Sequence, residues 1–162
     1  MLHDRYPDQT CSIARSLEVV GERWTLLIVR DVLNGLRRFD ELQENLGIAR
    51  NVLAARLDKL VSEGILERRP YSERPVRHEY RVTEKGLDLW PAMIALLQWG
   101  DRHAPSPGGP PVVLEHKGCG GAVTTHLSCE RCGAELGVRD VRALAGPGAP
   151  PDHPLLRRAA RV

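Results

Sequence analysis

The sequence has no long apolar run. No stretch approaches the roughly 20 apolar residues that a membrane span needs, and the start, MLHDRYPDQT, does not have the basic-then-apolar order of a signal peptide. We therefore expect a cytoplasmic protein with no membrane partner. An excess of one charge is also missing, since 23 basic and 21 acidic residues leave a formal net charge of +2. Any surface for nucleic acid must therefore come from the local arrangement of arginines.

The usual signatures of an enzyme are absent as well. We find no glycine loop that would cradle a phosphate, no nucleophile elbow and no paired carboxylates in a plausible cleft. Cys129 and Cys132 form a CERC motif, but it does not stand at the start of a helix after a strand, as a thioredoxin-like site would. The sequence thus predicts that the chain is not an enzyme. Its 162 residues, 42% hydrophobic and 27% charged, suit one folded core with an appendage.

Apolar spacing predicts four helices in the first 64 residues. They cover residues 11–20, residues 23–33, a segment capped by Asp40 and ending at Gly47, and residues 48–64. A short strand is predicted at residues 37–39. In the fourth helix the apolar residues share one stripe, which is formed by Leu53, Leu57, Leu60 and Val61.

Two strands and a last helix follow. Residues 65–69 and 78–82 are predicted as strands joined by the loop YSERPVR, whose prolines and charges argue against a continuous core strand. Thr83 is the expected N-cap of a long helix, which Pro91 should kink or shift. Its apolar surface would comprise Leu87, Trp90, Ile94, Leu97 and Trp99. Four helices followed by a hairpin predict an α+β winged helix-turn-helix fold, with a long C-terminal helix after the hairpin.

In this arrangement the fourth helix, beginning near residues 49–51, would enter the major groove. Its short side chains allow a close approach and its polar ones can reach base edges, which makes Arg50, Asn51, Ala54 and Ala55 the predicted base-reading set. Wing residues Arg74 and Arg77 would reach a neighbouring groove or phosphates. Arg37 and Arg38 could neutralise phosphate, although Arg38 could equally join a surface ion pair. From periodicity alone, a merely solvated helix face remains the alternative, and Arg56 is interpreted as structural.

Three motifs carry a family resemblance: Gly-x-x-Trp-Thr, Arg-Arg-Phe and Tyr-Arg-Val-Thr-Glu-Lys-Gly, all between Cys11 and Gly100. This region resembles the HxlR-type winged helix-turn-helix regulators, relatives of the MarR repressors. The resemblance implies a bacterial homodimer, joined through the first and last helices, that reads a pseudo-palindromic double-stranded operator. It also implies regulation of a nearby gene, usually repression, in response to a small-molecule or redox signal.

Two input sites are predicted. Family members commonly have a cysteine at the position of Cys11, and some use it to sense oxidants; the alternative is a small apolar side chain buried in the dimer interface. A disulfide switch is not expected, because the winged-helix region has no second cysteine. An effector pocket near Trp24, Trp90 and Trp99 is the other candidate, with ordinary core packing of these rings as the alternative.

A proline- and glycine-rich linker, residues 105–111, separates the winged-helix domain, residues 1–104, from a second module, residues 112–145. One five-residue pattern occurs twice in this module, as HKGCG and CERCG, and predicts a structural Cys3His zinc ribbon with the ligands His116, Cys119, Cys129 and Cys132. A metal-free hairpin with incidental thiols, or His126 in place of His116, remains open. Residues 146–162 are predicted to be disordered. The competing function is a zinc-ribbon adaptor for another protein, with the winged helix as a dimer scaffold.

Overall fold

The computed structural model of the chain describes residues 11–124, 126–137 and 139–141, so the predicted disordered tail lies outside the described residues. The chain forms two compact units, residues 1–93 and 94–162. The elements are α1 (Ser12–Val20), α2 (Thr25–Leu33), α3 (Phe39–Leu46), α4 (Arg50–Ser62), β1 (Leu66–Glu73), β2 (Val76–Val82), α5 (Glu84–Leu87) and α6 (Trp90–His103). The predicted domain limits on either side of residues 105–111 stay a prediction. Among the described residues, no helix has the length and apolar character needed to cross a membrane.

The core of the first unit is built from α2, α3, α4 and the base of the hairpin. Leu53, Leu57 and Leu60 of the predicted stripe are fully buried, and Val61 packs at the edge of the same cluster. Burying one leucine completely contributes about 1.5–3 kcal/mol, so this stripe fixes which face of α4 turns inward. The other core members are Ile28, Val29, Val32, Leu42, Ile48, Ile65, Leu66 and Tyr80.

One buried carboxylate ties α2 to α3. Asp31 is 2% exposed, and its two oxygens have separate partners. Oδ1 lies 2.7 Å from Nη2 of Arg30, and Oδ2 accepts a hydrogen bond of 2.8 Å from the amide of Asn45 on α3. Because a buried charge needs such partners, this cluster fixes the relative placement of the two helices ahead of α4.

The start of α3 corrects two predictions. The helix begins at Phe39, so Asp40 lies within its first turn and is not the N-cap. The cap is built by Glu41, whose Oε2 accepts hydrogen bonds from the backbone N–H groups of Arg37 (3.1 Å) and Arg38 (2.9 Å). The strand predicted at residues 37–39 is reduced to one antiparallel bridge between Arg38 and Glu79, because the backbone has already turned into a helix at Phe39.

The hairpin strands are longer than predicted. Most of the predicted loop YSERPVR is strand, and only Arg74 and Pro75 remain at the turn. Pairing runs from Leu66↔Val82 to Glu73↔Val76, with a shift in register between Pro70 and Ser72. Prolines are tolerated here because a two-stranded ribbon has open edges, where a missing N–H breaks no ladder bond. The wing is therefore a continuous ribbon.

The last predicted helix is divided in two. Thr83 caps the short α5, and its Oγ1 accepts a hydrogen bond of 3.2 Å from the N–H of Gly86. The second helix, α6, begins at Trp90, which places Pro91 in its first turn, where no N–H is needed. Pro91 thus moves the start of the helix, which is one of its two predicted effects.

Candidate nucleic-acid interface

Helix α4 begins where the sequence places it. Ala49 is its N-cap and Arg50 its first residue. Arg50, Asn51 and Ala55 are exposed and Ala54 is half-buried, whereas the leucines of the stripe are fully buried. The structure therefore presents a row of short and polar side chains at the N-terminal end of α4, where a recognition helix contacts base edges.

Arg50 is held in place by two residues that the sequence did not indicate. Its guanidinium lies over the ring of Phe39, 4.6 Å from the centroid, and its Nη1 lies 3.4 Å from Oδ1 of Asp40. The side chain is still 71% exposed, so it can leave the carboxylate for another anion. Phe39 and Asp40 both lie in the first turn of α3. That they hold the side chain of Arg50 becomes visible only when α3 and α4 are packed together.

The wing carries three arginines that form no ion pair with any described residue. These are Arg68 on β1, Arg74 at the turn and Arg77 on β2, and all three are exposed. By contrast Arg69, on β1, pairs with Glu67 at 2.6 Å. Two of these three unpaired charges, those of Arg74 and Arg77, lie at or near the tip of the hairpin.

Arg37 and Arg38 lie between α2 and α3. Both side chains are exposed, and the carbonyl of Arg37 accepts a hydrogen bond of 2.8 Å from the N–H of Tyr80. Arg38 lies over the ring of Tyr71 of the wing at 4.6 Å and near Glu41 at 3.9 Å, which is the surface ion pair considered as its alternative role. Tyr71, 40% exposed, is a further residue of this surface that the sequence did not indicate.

Arg56 has the structural place expected for it. Its guanidinium forms an ion pair with Glu22, and the neighbouring Lys59 donates a hydrogen bond of 2.6 Å to the carbonyl of Glu18. These contacts join α4 to the end of α1 and to the turn after it. The basic residues on this side of α4 are therefore engaged inside the chain.

Cys11 is exposed on the single chain, at the N-cap of α1. The backbone N–H groups of Ala14 and Ile13 at the start of α1 hold the pKa of its thiol below the usual value. A lowered pKa increases the thiolate fraction at neutral pH, and the thiolate is the reactive form.

The three tryptophans differ in their exposure. Trp24 packs on the edge of the core, Trp90 is 42% exposed and Trp99 is 59% exposed. A cavity of about 380 Å³ lies beside α1, lined by Ser12, Arg15, Ser16, Val19, Val20, Ile65, Lys85 and Leu89. An effector pocket among the tryptophans stays a prediction.

The four predicted zinc ligands lie in two pairs. His116 Nδ1 is 3.3 Å from Cys119 Sγ, and in the second pair the backbone N–H groups of Cys132 and Arg131 hold the pKa of the Cys129 thiol below its usual value. Within residues 11–124, 126–137 and 139–141, no three His, Cys, Asp or Glu side chains are arranged to hold a metal ion. Each motif lies in a turn that is closed by one antiparallel bridge, Glu115↔Ala122 for the first and Ser128↔Glu135 for the second.

Comparison with known families shows the family to which the chain belongs. Residues 19–107 match the HxlR-like helix-turn-helix family, which is more than half of the chain. The chain belongs to this family. The matched residues run from the end of α1 through α6, so they include α4 and the wing. The resemblance drawn from the three sequence motifs is thus confirmed.

Several relatives match a larger part of this HxlR-like chain than the family itself does. The uncharacterised HTH-type transcriptional regulator Rv3095 of Mycobacterium tuberculosis is 51% identical over 137 residues, which is 85% of this chain and 87% of that protein. Among solved structures, PA1607 has a TM-score of 0.75 at 39% identity and covers 84% of this chain and 95% of its own. PA1374 from Pseudomonas aeruginosa has a TM-score of 0.63 at 42% identity, covering 91% and 99%. These matches are too long to end at residue 107, so they include part of the module with the cysteines.

The redox regulator HypR, in its oxidised form, has a TM-score of 0.54 at 29% identity and covers 57% of this chain and 97% of its own. This shorter match has about the length of the winged-helix region alone. The family and its relatives are transcriptional regulators and not enzymes, which confirms the prediction made from the missing catalytic motifs.

Proposed function

We propose that this HxlR-like protein is a bacterial transcriptional repressor that binds a pseudo-palindromic operator as a homodimer and answers to a small-molecule or redox signal. The observation that carries the proposal is the surface formed by the N-terminal end of α4 and the tip of the wing. There Arg50, Asn51 and Ala55 are exposed, and Arg74 and Arg77 form no ion pair among the described residues. Its relatives are named as transcriptional regulators, which supports the same class.

The role proposed for each residue of α4 follows from the chemistry of its side chain. An asparagine amide matches the N6 and N7 edge of adenine, and an arginine matches the O6 and N7 edge of guanine, so Asn51 and Arg50 read bases. The stacking of Arg50 on Phe39 limits its freedom before DNA arrives, which lowers the entropy lost on binding. Ala54 and Ala55 leave room for the helix backbone to approach.

The wing arginines contribute position and affinity. Arg74 and Arg77 carry charge on a ribbon that can reach the sugar–phosphate backbone, and release of counterions from DNA makes such contacts dependent on salt. Arg37 and Arg38 are proposed as phosphate contacts too. Since Arg38 already lies near Glu41 and over Tyr71, it would exchange those partners for a phosphate.

A homodimer explains the apolar side chains exposed on α1 and α6. Ile13 is 71% and Leu17 is 45% exposed on α1, and Leu96 is 55% and Trp99 is 59% exposed on α6. Two copies that cover these side chains would present two α4 helices. A twofold-symmetric pair of recognition helices requires half-sites about one helical turn, roughly 34 Å, apart.

The input is proposed at the N-terminal end of α1. Cys11 offers an exposed thiol, and the cavity of about 380 Å³ next to α1 has basic side chains, Arg15 and Lys85, beside apolar ones. This volume is within the range of about 300–1,000 Å³ found for small-molecule sites. A change at either place would act on α1 and so on the proposed dimer.

The test uses the purified full chain and a fluorescent duplex of the DNA upstream of its own gene. Fluorescence anisotropy should show saturable binding with two chains per duplex, and Asn51→Ala should weaken it by about 1–3 kcal/mol, or roughly 5- to 150-fold, for each of the two half-sites. Arg77→Ala should weaken binding to all sequences alike and reduce the slope of log affinity against log salt by about two, because each chain of the dimer neutralises one phosphate fewer.

Arg69→Ala is the matched control, because this arginine is on the same ribbon but is paired with Glu67. Its affinity should stay close to that of the wild type. Unchanged affinity in both Asn51→Ala and Arg77→Ala would show that the interface is placed wrongly. A dimer with no affinity for this DNA or for inverted repeats would favour the adaptor function instead.

A further inference from the structure

Beyond the winged helix, the chain builds the same turn twice. In both HKGCG and CERCG, the N–H of the first residue donates to the carbonyl five residues later, and the N–H of the glycine at the fifth position donates back to the first carbonyl. The four distances are 2.8 Å (His116 to Gly121), 2.9 Å (Cys129 to Ala134), 2.8 Å (Gly120 to His116) and 2.8 Å (Gly133 to Cys129). The two sequence motifs therefore share a backbone conformation as well as a spacing.

The likeness includes the flanking residues. One bridge closes each turn at equivalent positions, and a hydrogen bond outside it repeats as well, from Val123 to the carbonyl of Leu114 and from Leu136 to the carbonyl of Leu127. The last glycine has φ of +70° in the first copy and +71° in the second, a conformation that side chains with a Cβ rarely adopt. Two unrelated surface loops would have no reason to agree at each of these points.

In each copy the turn brings the residues at its first and fourth positions together. His116 Nδ1 and Cys119 Sγ are 3.3 Å apart. In the second copy, the same two backbone hydrogen bonds give Cys129 and Cys132 the places that His116 and Cys119 hold in the first. Each turn thus presents two ligands on one side.

This module has no apolar core to hold it together. From residue 112 to residue 141, none of the described residues is buried, and Val113 and Leu127 are 78% and 73% exposed. The four cysteines of the chain form no disulfide. A segment of this size, below about 40 residues and without a core, ordinarily needs a metal, a disulfide or a partner to be stable.

We propose that His116, Cys119, Cys129 and Cys132 bind one Zn²⁺ within each chain, and that the ion draws the two turns together and folds the module. The metal is expected to assemble the site, because no three ligand-type side chains among the described residues yet converge. Binding releases the protons of the cysteine thiols to solvent, and the imidazole binds in its neutral form. Three thiolates and an imidazole in a tetrahedron are a ligand set that zinc prefers for structural sites.

His116 is the fourth ligand in this proposal, and His126 is not. His126 Nδ1 lies 3.6 Å from Oε2 of Glu135, and it stands outside both turns. His116 holds the same place in its turn that Cys129 holds in the other. The two histidines therefore give a matched pair of variants.

The experiment uses the full chain, purified without chelator, with zinc measured by mass spectrometry and thiols by reaction with a chromogenic disulfide. We expect about one zinc per chain, and only Cys11 should react rapidly while the metal is bound. Replacement by Co²⁺ should give the intense visible bands of a tetrahedral thiolate site. His116→Ala should weaken zinc binding more than about 100-fold, because the loss of a residue that only hydrogen-bonds to a metal ligand already lowers metal affinity about 10- to 100-fold.

His126→Ala and Cys11→Ser should each retain about one zinc per chain with unchanged cobalt bands. The helical circular dichroism of all variants reports whether α1–α6 remain folded, so a loss of zinc can be separated from general unfolding. Less than about half a zinc per chain in the wild type would overturn the proposal, because a structural site should be nearly full. Loss of zinc in His126→Ala but not in His116→Ala would overturn the ligand set. DNA binding is measured separately, so failure here leaves the proposed function intact.

Discussion

Gly86 lies in the four-residue helix α5, against the base of the wing, and it is buried. Replacing it by alanine sets two effects against each other. Alanine favours a helix over glycine by roughly 0.5–1 kcal/mol. However, a Cβ at this position would lie 2.6 Å from Cγ1 of Val82 and closer still to the carbonyl oxygen of Ile65. Carbon atoms in contact ordinarily lie about 3.5–4.0 Å apart.

The clash should win. Val82 can rotate, but the carbonyl of Ile65 is backbone, and it accepts hydrogen bonds of 3.1 Å from both the N–H and the hydroxyl of Thr83. Overpacking of this kind costs typically 1–3 kcal/mol, so Gly86→Ala should lower the free energy of unfolding by about 1–2 kcal/mol after the gain in helix propensity. With a slope of about 1–3 kcal/mol per molar urea, the unfolding midpoint should fall by roughly 0.3–2 M.

Urea unfolding followed by circular dichroism at a fixed protein concentration measures this difference. Gly100→Ala is the control, since Gly100 lies in α6 and a Cβ there meets nothing within 4 Å. It should raise stability by about 0.5–1 kcal/mol from helix propensity alone. If Gly86→Ala were as stable as the wild type, the packing of α5 against the wing base would be refuted.

Two other local interactions can be tested in the same way. Asn45→Ala should lower the free energy of unfolding by about 1.5–3 kcal/mol in the same assay, because it removes a hydrogen bond to the buried carboxylate of Asp31. Arg69→Ala removes an exposed ion pair and should lower it by no more than about 1 kcal/mol. Equal effects of the two substitutions would contradict the role given to Asp31. The pKa of Cys11 is lowered, so its thiolate persists to lower pH. Alkylation of Cys11 by iodoacetamide should therefore rise with pH and level off at a lower pH than alkylation of a cysteine peptide. A profile that coincides with that of the peptide would count against this effect.

Much of the fold could be predicted from the sequence because it depends on neighbours in the chain. The leucine stripe of α4 follows from a period of 3.6 residues, and Ala49 and Arg50 mark the start of the helix within one residue of the expected place. The length of the wing strands was harder to predict, because Tyr71, Ser72 and Glu73 become strand only through pairing with β2. The cap of α3 was not predicted either. The sequence favours a conventional N-cap at Asp40, but in the structure the side chain of Glu41 accepts hydrogen bonds from the backbone N–H groups of Arg37 and Arg38.

The amino-acid sequence by itself determined the helices, the basic hairpin, the family and the two repeated cysteine motifs, since periodicity, turn chemistry and spacing are local properties of the chain. The tertiary structure alone decided that Phe39 and Asp40 hold Arg50, that Arg38 lies over Tyr71, and that Asp31 binds Asn45. It also showed that the two cysteine motifs share one backbone conformation. The contacts of Arg50 with Phe39 and Asp40, of Arg38 with Tyr71 and of Asp31 with Asn45 each join residues at least 10 positions apart in the chain. Packing of the whole core brings such residues together, and no local pattern records it.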